Sequence, residues 1–203
     1  MNWDLFAAFL VITVILFITP GPIVTLVVAT GASQGVRAAL ITVAGTTLGN
    51  ACLLAAIAFG LNFVLANVAG LFEALRWAGA AYLIWLGVQA WRRAGATNPP
   101  ASGRGINFSR GLVVALTNPK TIAFFTAFLP QFIDKSLPSA TQLAVMCSVS
   151  VLLGAMLDAT WGIAAGFGRA WFIRPERMRL LNRLSGVVLI GGGIWLSLIR
   201  RSV

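Results

Sequence analysis

The sequence contains no histidine and only two cysteines. Without histidine, the commonest metal ligand and the usual proton shuttle near neutral pH are both missing. Cys52 and Cys147 each lie inside an apolar segment. Neither a disulfide framework nor a metal site is expected of them, and both read as small apolar residues. Charge is scarce too. Only 10% of the residues are charged, where a soluble domain carries roughly 25%. No phosphate-cradling loop, no nucleophile with its base and orienting group, and no cluster of metal ligands is present. An enzyme is not expected, and neither is a cofactor.

Apolar surface is what the chain has in abundance. Its 203 residues are 59% hydrophobic, with a mean hydropathy of +0.90. One water-soluble core of this size cannot hide so much, so an all-α polytopic membrane protein is expected. A net charge of +10 would suggest nucleic acid in a soluble chain. Here the arginines gather in short loops between apolar runs, and no basic aromatic module is visible. They read as topology signals and as contacts to an anionic lipid bilayer, with no nucleic acid as partner.

Six apolar runs are long enough to matter: about Leu5–Ala29, Ile41–Leu65, Leu71–Trp91, Gly111–Ile133, Ala140–Ala165 and Leu184–Ile199. The last is short and extends backward through Met178-Arg179-Leu180-Leu181, whose arginines can snorkel to the interface. The first has no lysine or arginine ahead of it and is too long for a signal-peptide core, so it is expected to be retained. Trp3, Trp77, Trp91, Trp171 and Trp195 fall near the expected ends, as an aromatic belt requires.

Loop charge gives an orientation. The first, third and fifth loops hold Arg37; Arg92, Arg93, Arg104 and Arg110; and Arg169, Arg174, Arg177, Arg179 and Arg183. The opposite side holds Arg76, Lys135, Arg200 and Arg201. The positive-inside rule places the odd loops in the cytoplasm and both termini in the periplasm, although Arg200 and Arg201 pull the other way.

Residues 92–110 include Asn98-Pro99-Pro100-Ala101-Ser102-Gly103, the composition of a flexible linker. It divides one transporter-like domain, residues 1–203, into halves of about 1–91 and 111–203. Three spans per half is an odd number, so the halves enter the membrane in opposite directions. The expected architecture is six transmembrane helices forming two inverted three-helix repeats. Each half opens on a span interrupted by a helix breaker: Ile18-Thr19-Pro20-Gly21-Pro22 in the first and Leu116-Thr117-Asn118-Pro119-Lys120 in the second. Proline lacks a backbone donor and clashes with the preceding turn. In hydrocarbon the groups freed at such breaks need protein or a watery cavity, or neighbouring helices that hold a simple kink.

Lys120 and Asp158 are the two ionisable residues well inside spans. A charge at the bilayer centre costs about 2.5–3.5 kcal/mol even on the lenient insertion scale, so each must face a partner or water. Two readings stand. In one, Lys120 and Asp158 form a structural ion pair. In the other, Lys120 faces the carboxylate of a zwitterion while Asp158 faces its ammonium or carries a proton. Asn50, Asn118, Thr46, Thr47 and Thr160 add neutral donors and acceptors. Asn50 follows Gly49 and either lines the same cavity or bonds across helices. The four-residue spacing of Gly45 and Gly49 reads as close helix packing, which is also compatible with a homodimer.

Along essentially its whole length the sequence resembles the LysE/RhtB family of bacterial amino-acid exporters. The likeness is carried by Pro20-Gly21-Pro22, then Gly35, Gly45 and Gly49, then Asn118-Pro119-Lys120. It continues in Asn182-Arg183-Leu184-Ser185-Gly186 and Gly191 to Gly193. The resemblance implies an inner-membrane exporter of amino acids or close derivatives, driven by the proton gradient, with no particular amino acid specified. Half-helix N-termini after Pro20 and Pro119 would offer backbone donors and positive dipole ends to a carboxylate.

The expected substrate-binding residues are Pro20, Gly21, Pro22, Asn50, Asn118, Pro119, Lys120 and Asp158, serving alternating access between the two halves. With no histidine available, Asp158 is the candidate for proton coupling. Two alternatives stay open: the same scaffold exporting another small polar solute or ion, and a non-transporting membrane subunit.

Overall fold

A computed structural model describes residues 1–67, 69–92, 107–168 and 175–198, and all regular structure among them is helical. The elements are α1 (Trp3–Ile18), α2 (Pro22–Gln34), α3 (Val36–Asn67), α4 (Ala69–Arg92), α5 (Asn107–Leu116), α6 (Pro119–Phe128), a 3₁₀ turn (Leu129–Phe132), α7 (Ser139–Phe167) and α8 (Pro175–Leu198).

The first break follows from the chemistry of the chain. Asn2 opens α1 by accepting hydrogen bonds on Oδ1 from the amides of Asp4 (3.2 Å) and Leu5 (3.3 Å). The helix then runs until Pro20, whose ring cannot continue it, and Pro22 restarts the chain as the first residue of α2. The axes of α1 and α2 differ by 47°, and those of α5 and α6 by 40° across the Asn118–Pro119 break. Both interruptions lie where the prolines place them.

Two helices, Val36–Leu61 within α3 and Ser139–Phe167, are each long and apolar enough to cross a membrane alone. Each bent pair also qualifies if it is one broken span, giving up to four such segments among the described residues. Helices α4 and α8 stand where the third and sixth runs were expected, and the apolar part of α8 is Asn182–Leu198. The backward extension of the sixth run is present, since α8 begins at Pro175.

Helix α3 packs against α5 and α7, α2 against α7, and α4 against α8 and α6. Small residues set these distances. A Cβ at Gly45 would fall on the Phe108 carbonyl of α5, and one at Gly49 would sit 2.7 Å from the Leu112 carbonyl. Gly111 of α5 meets the Thr42 carbonyl of α3 in return. The Gly45/Gly49 pair therefore packs helices, as its spacing suggests. Gly35 has a different task. It joins α2 to α3 with φ of +89°, a conformation that a side chain disfavours.

One charge sits elsewhere than the loops imply. Arg76 lies within α4, buried, with its guanidinium 5.5 Å from the centre of the Trp77 ring. A count of loop charges treats this arginine as solvated, whereas it is buried with an aromatic ring within cation–π range. Trp3, Trp77 and Trp91 are exposed, and Trp195, also exposed on one side, stacks on Phe128 at 5.5 Å and on Phe132. Trp171, most of the 92–110 linker, and Arg169, Arg174, Arg200 and Arg201 lie outside the described residues.

Candidate functional site

The two breaks meet. In an unbroken helix the carbonyl of Leu16 would accept from the amide of residue 20, but Pro20 has none. That orphan acceptor is taken by Lys120, from the second break. Its Nζ donates to Leu16 O at 2.6 Å and to Thr19 O at 2.5 Å. A cation there also faces the negative end of the α1 dipole. Lys120 is buried, and its aliphatic stem runs beside Gly21, where a Cβ would come within 3.1 Å of Cδ.

Asn118 shapes the other side of the break. Its Oδ1 accepts from the Lys120 amide (3.2 Å), capping α6, and its Nδ2 donates to Thr121 Oγ1 (2.8 Å). No such side chain caps α2. The first-turn amides of Ile23 and Val24 are among those without an intrahelical partner. Both residues line a small cavity together with Gly21, Asn118, Lys120, Thr121 and Asp158.

Asp158 of α7 is buried, with Oδ2 3.5 Å from the Thr46 hydroxyl of α3. It faces the same small cavity as Lys120 but makes no direct ion pair or hydrogen bond with it. Instead the two charges border a space of about 20 Å³, room for roughly one water. The ion-pair reading therefore does not describe this conformation. The sequence offered no hint that Lys120 would be held by the end of α1.

On its other side Lys120 borders a much larger cavity of about 600 Å³. Pro20, Gly21, Pro22 and Pro119 form its inner end, with Leu86, Gln89, Arg110, Val114, Asn182 and Ser185 among the remaining walls. Gln89 lies in the last turn of α4 and Arg110 in the first turn of α5, so this space reaches the end of the bundle where α4 ends and α5 begins. A third cavity of about 300 Å³, partly open at the exposed residues Ile15, Gly191 and Trp195, lies between α1, α4, α6 and α8, and its described walls are predominantly apolar.

Seven of the eight expected site residues thus border these spaces: Pro20, Gly21, Pro22, Asn118, Pro119, Lys120 and Asp158. Asn50 does not. It is buried in α3, its Oδ1 has no hydrogen-bond partner, and it lines neither polar cavity. Thr160 is exposed and donates to its own helix at Met156. Gln89, Arg110, Asn182 and Ser185 were not anticipated. A signal existed for two of them, because Asn182, Ser185 and Leu189 recur at helical spacing along one face of α8.

Residues 14–199 match the family described as LysE type translocator. The chain belongs to that family. It is 32% identical to the homoserine/homoserine lactone efflux protein of Salmonella typhimurium over the full length of both chains. It is also 32% identical to an uncharacterized membrane protein of Vibrio cholerae, covering 97% of this chain and 98% of that one. The leucine efflux protein of Klebsiella pneumoniae is 27% identical, over 92% of this chain and 91% of its own. No solved structure is significantly similar. The match spans both helix breaks and the Asn182–Gly193 segment, the elements that build the cavities.

Proposed function

We propose that this translocator exports amino acids across the bacterial inner membrane by alternating access, crossing six times as two inverted three-helix repeats. The observation that carries this reading is the polar cavity reaching from one end of the bundle to both helix breaks. Its inner end offers what a zwitterion's carboxylate needs, the Lys120 ammonium, and the first-turn residues Ile23 and Val24 of the half-helix after Pro22 border the small cavity on the other side of Lys120. Efflux relatives named for homoserine and for leucine support an amino-acid cargo.

The packing is consistent with inverted repeats. Helix α3 packs on α5 and α6 while α7 packs on α1 and α2, and the pairs α3/α7 and α4/α8 each join equivalent helices of the two halves. With loop 93–106 cytoplasmic by its arginines, the large cavity faces the cytoplasm and both termini are periplasmic. The Phe124, Phe128, Phe132 and Trp195 cluster then closes the periplasmic end. Asp158 couples transport to protons: it borders the space next to Lys120, and a proton there alters the charge that Lys120 meets.

The test is export of a labelled amino-acid mixture from cells preloaded with dipeptides. Wild type should release one or a few amino acids selectively. Lys120→Ala and Asp158→Asn should lose that release at equal membrane levels. Release no different from empty-vector cells would refute amino-acid export. Proton-coupled export left intact in Asp158→Asn would remove the coupling role.

A further inference from the structure

We infer that the exported solute is an amino acid with an uncharged aliphatic side chain, and that the apolar cavity between α1, α4, α6 and α8 receives that side chain. This rests on the amino-acid export reading and narrows it.

Position is the first reason. The apolar cavity shares Leu189 with the large polar cavity and Leu16 with the small cavity of Lys120 and Asp158. Leu16 is the residue whose carbonyl holds the Lys120 ammonium. A solute whose carboxylate docks near Lys120 therefore has the apolar space as its neighbour, one side chain away.

Chemistry is the second. The walls include Ile12, Leu83, Phe124, Phe128, Val188 and Trp195, and none of the described lining residues is ionisable. A cationic or carboxylate side chain placed there would be desolvated without a partner. The polar cavity offers a basic substrate no better reception, because the charged residues of its wall are Arg110 and Lys120. Among the described residues, Asp158 is the one acidic side chain that borders any of the three cavities. A volume of about 300 Å³ lies at the lower end of the roughly 300–1,000 Å³ typical of small-molecule sites.

The glycines of α8 supply the third reason. Gly186 and Gly193 are needed for packing, since a Cβ at either would come within 2.8 Å of an α4 carbonyl. Gly191 and Gly192 are not. A Cβ at Gly191 meets nothing within 4 Å, and one at Gly192 meets only Phe128 Cζ at 3.7 Å, an ordinary contact. Both line the cavity. Their missing side chains leave space that helix packing does not require.

The experiment measures release of labelled leucine, alanine and lysine from cells producing wild type, Gly192→Val or Val188→Ala at equal membrane levels. Wild type should release leucine and leave lysine inside. Gly192→Val should lower the ratio of leucine to alanine release by at least about tenfold, the scale on which one methylene in an apolar pocket is discriminated. Val188→Ala enlarges the space and should move selectivity toward bulkier side chains, which phenylalanine release reads. This second variant decides the matter if Gly192→Val abolishes all release. Lysine released as well as leucine would overturn the inference while leaving amino-acid export standing. Unchanged selectivity in both variants would assign the cavity to a lipid chain instead. Release of no amino acid by wild type would overturn the export reading itself.

Discussion

Lys120 gives the carbonyl of Leu16 the hydrogen-bond donor that Pro20 lacks, across 2.6 Å. The break in the first half creates an acceptor, and the break in the second half supplies its partner. Replacing the ammonium with an apolar side chain of similar length leaves the Leu16 and Thr19 carbonyls, and the charge of Asp158, without it. An orphaned buried acceptor costs about 1–3 kcal/mol. Lys120→Met should therefore lower stability in detergent by at least about 2 kcal/mol, read from chemical or thermal unfolding. Wild-type stability in that variant would mean the contact holds nothing together.

Helix packing makes a contrasting pair of predictions. Gly45→Ala drives a methyl into the Phe108 carbonyl of α5, and overpacking of this kind costs about 1–3 kcal/mol. Gly191→Ala meets open space and removes a flexible residue from a helix interior, a gain of roughly 0.5–1 kcal/mol. Thermal midpoints in one detergent should move in opposite directions. A shift of the same sign and size would contradict the α3–α5 contact as drawn.

Outside the cavity walls, Asp134 ties the turn before α7 to the start of α1. Ser136 donates to it from both its hydroxyl (2.6 Å) and its amide (2.9 Å), and Asn2 donates from Nδ2 at 3.2 Å. These bonds, the Ser136 hydroxyl first, hold the carboxyl below its ordinary value of 3.8. A depressed native pKa means stability that is present above that value and lost as pH falls through the native one. Asp134→Ala should be less stable than wild type near neutral pH, with the gap closing only below 3.8. A gap that persists unchanged into acid would show that the carboxylate's charge is not the source.

Much of this was legible in the chain. The six apolar runs are mainly helical where described, and both breaks occur at the prolines that announce them, because proline's missing donor acts locally. Gly35, Gly45 and Gly49 likewise reveal close approach or an unusual backbone by lacking a side chain. What acts across helices was not legible. Lys120 could be recognised as needing a partner, yet the choice between Asp158, a substrate and the end of α1 depends on how separate helices dock. Arg76 and Asn50 show the same limit: Arg76 is buried within α4 with Trp77 beside it, and Asn50 is buried but lines neither polar cavity.

The proposed orientation gives access to the large cavity a direction. With Cys52 and Cys147 replaced by serine, Gln89→Cys should react with a membrane-impermeant maleimide from the cytoplasmic side. Ser136→Cys, in the exposed turn before α7, should react from the periplasmic side. Added substrate should slow labelling at position 89 and leave position 136 unaffected. Labelling of position 89 from the periplasm alone would invert the orientation inferred from the arginines.

The most direct measurement is efflux of labelled leucine from liposomes holding the purified protein, with and without an imposed proton gradient. Protein oriented with its cytoplasmic face toward the lumen should release leucine faster when the outside is acidic, so that protons run inward as leucine leaves; Asp158→Asn should lose that dependence, and Lys120→Ala should release no more than empty liposomes. Leucine, alanine and homoserine all retained as in empty liposomes, by folded wild-type protein under either condition, would contradict amino-acid export through the cavity at Lys120.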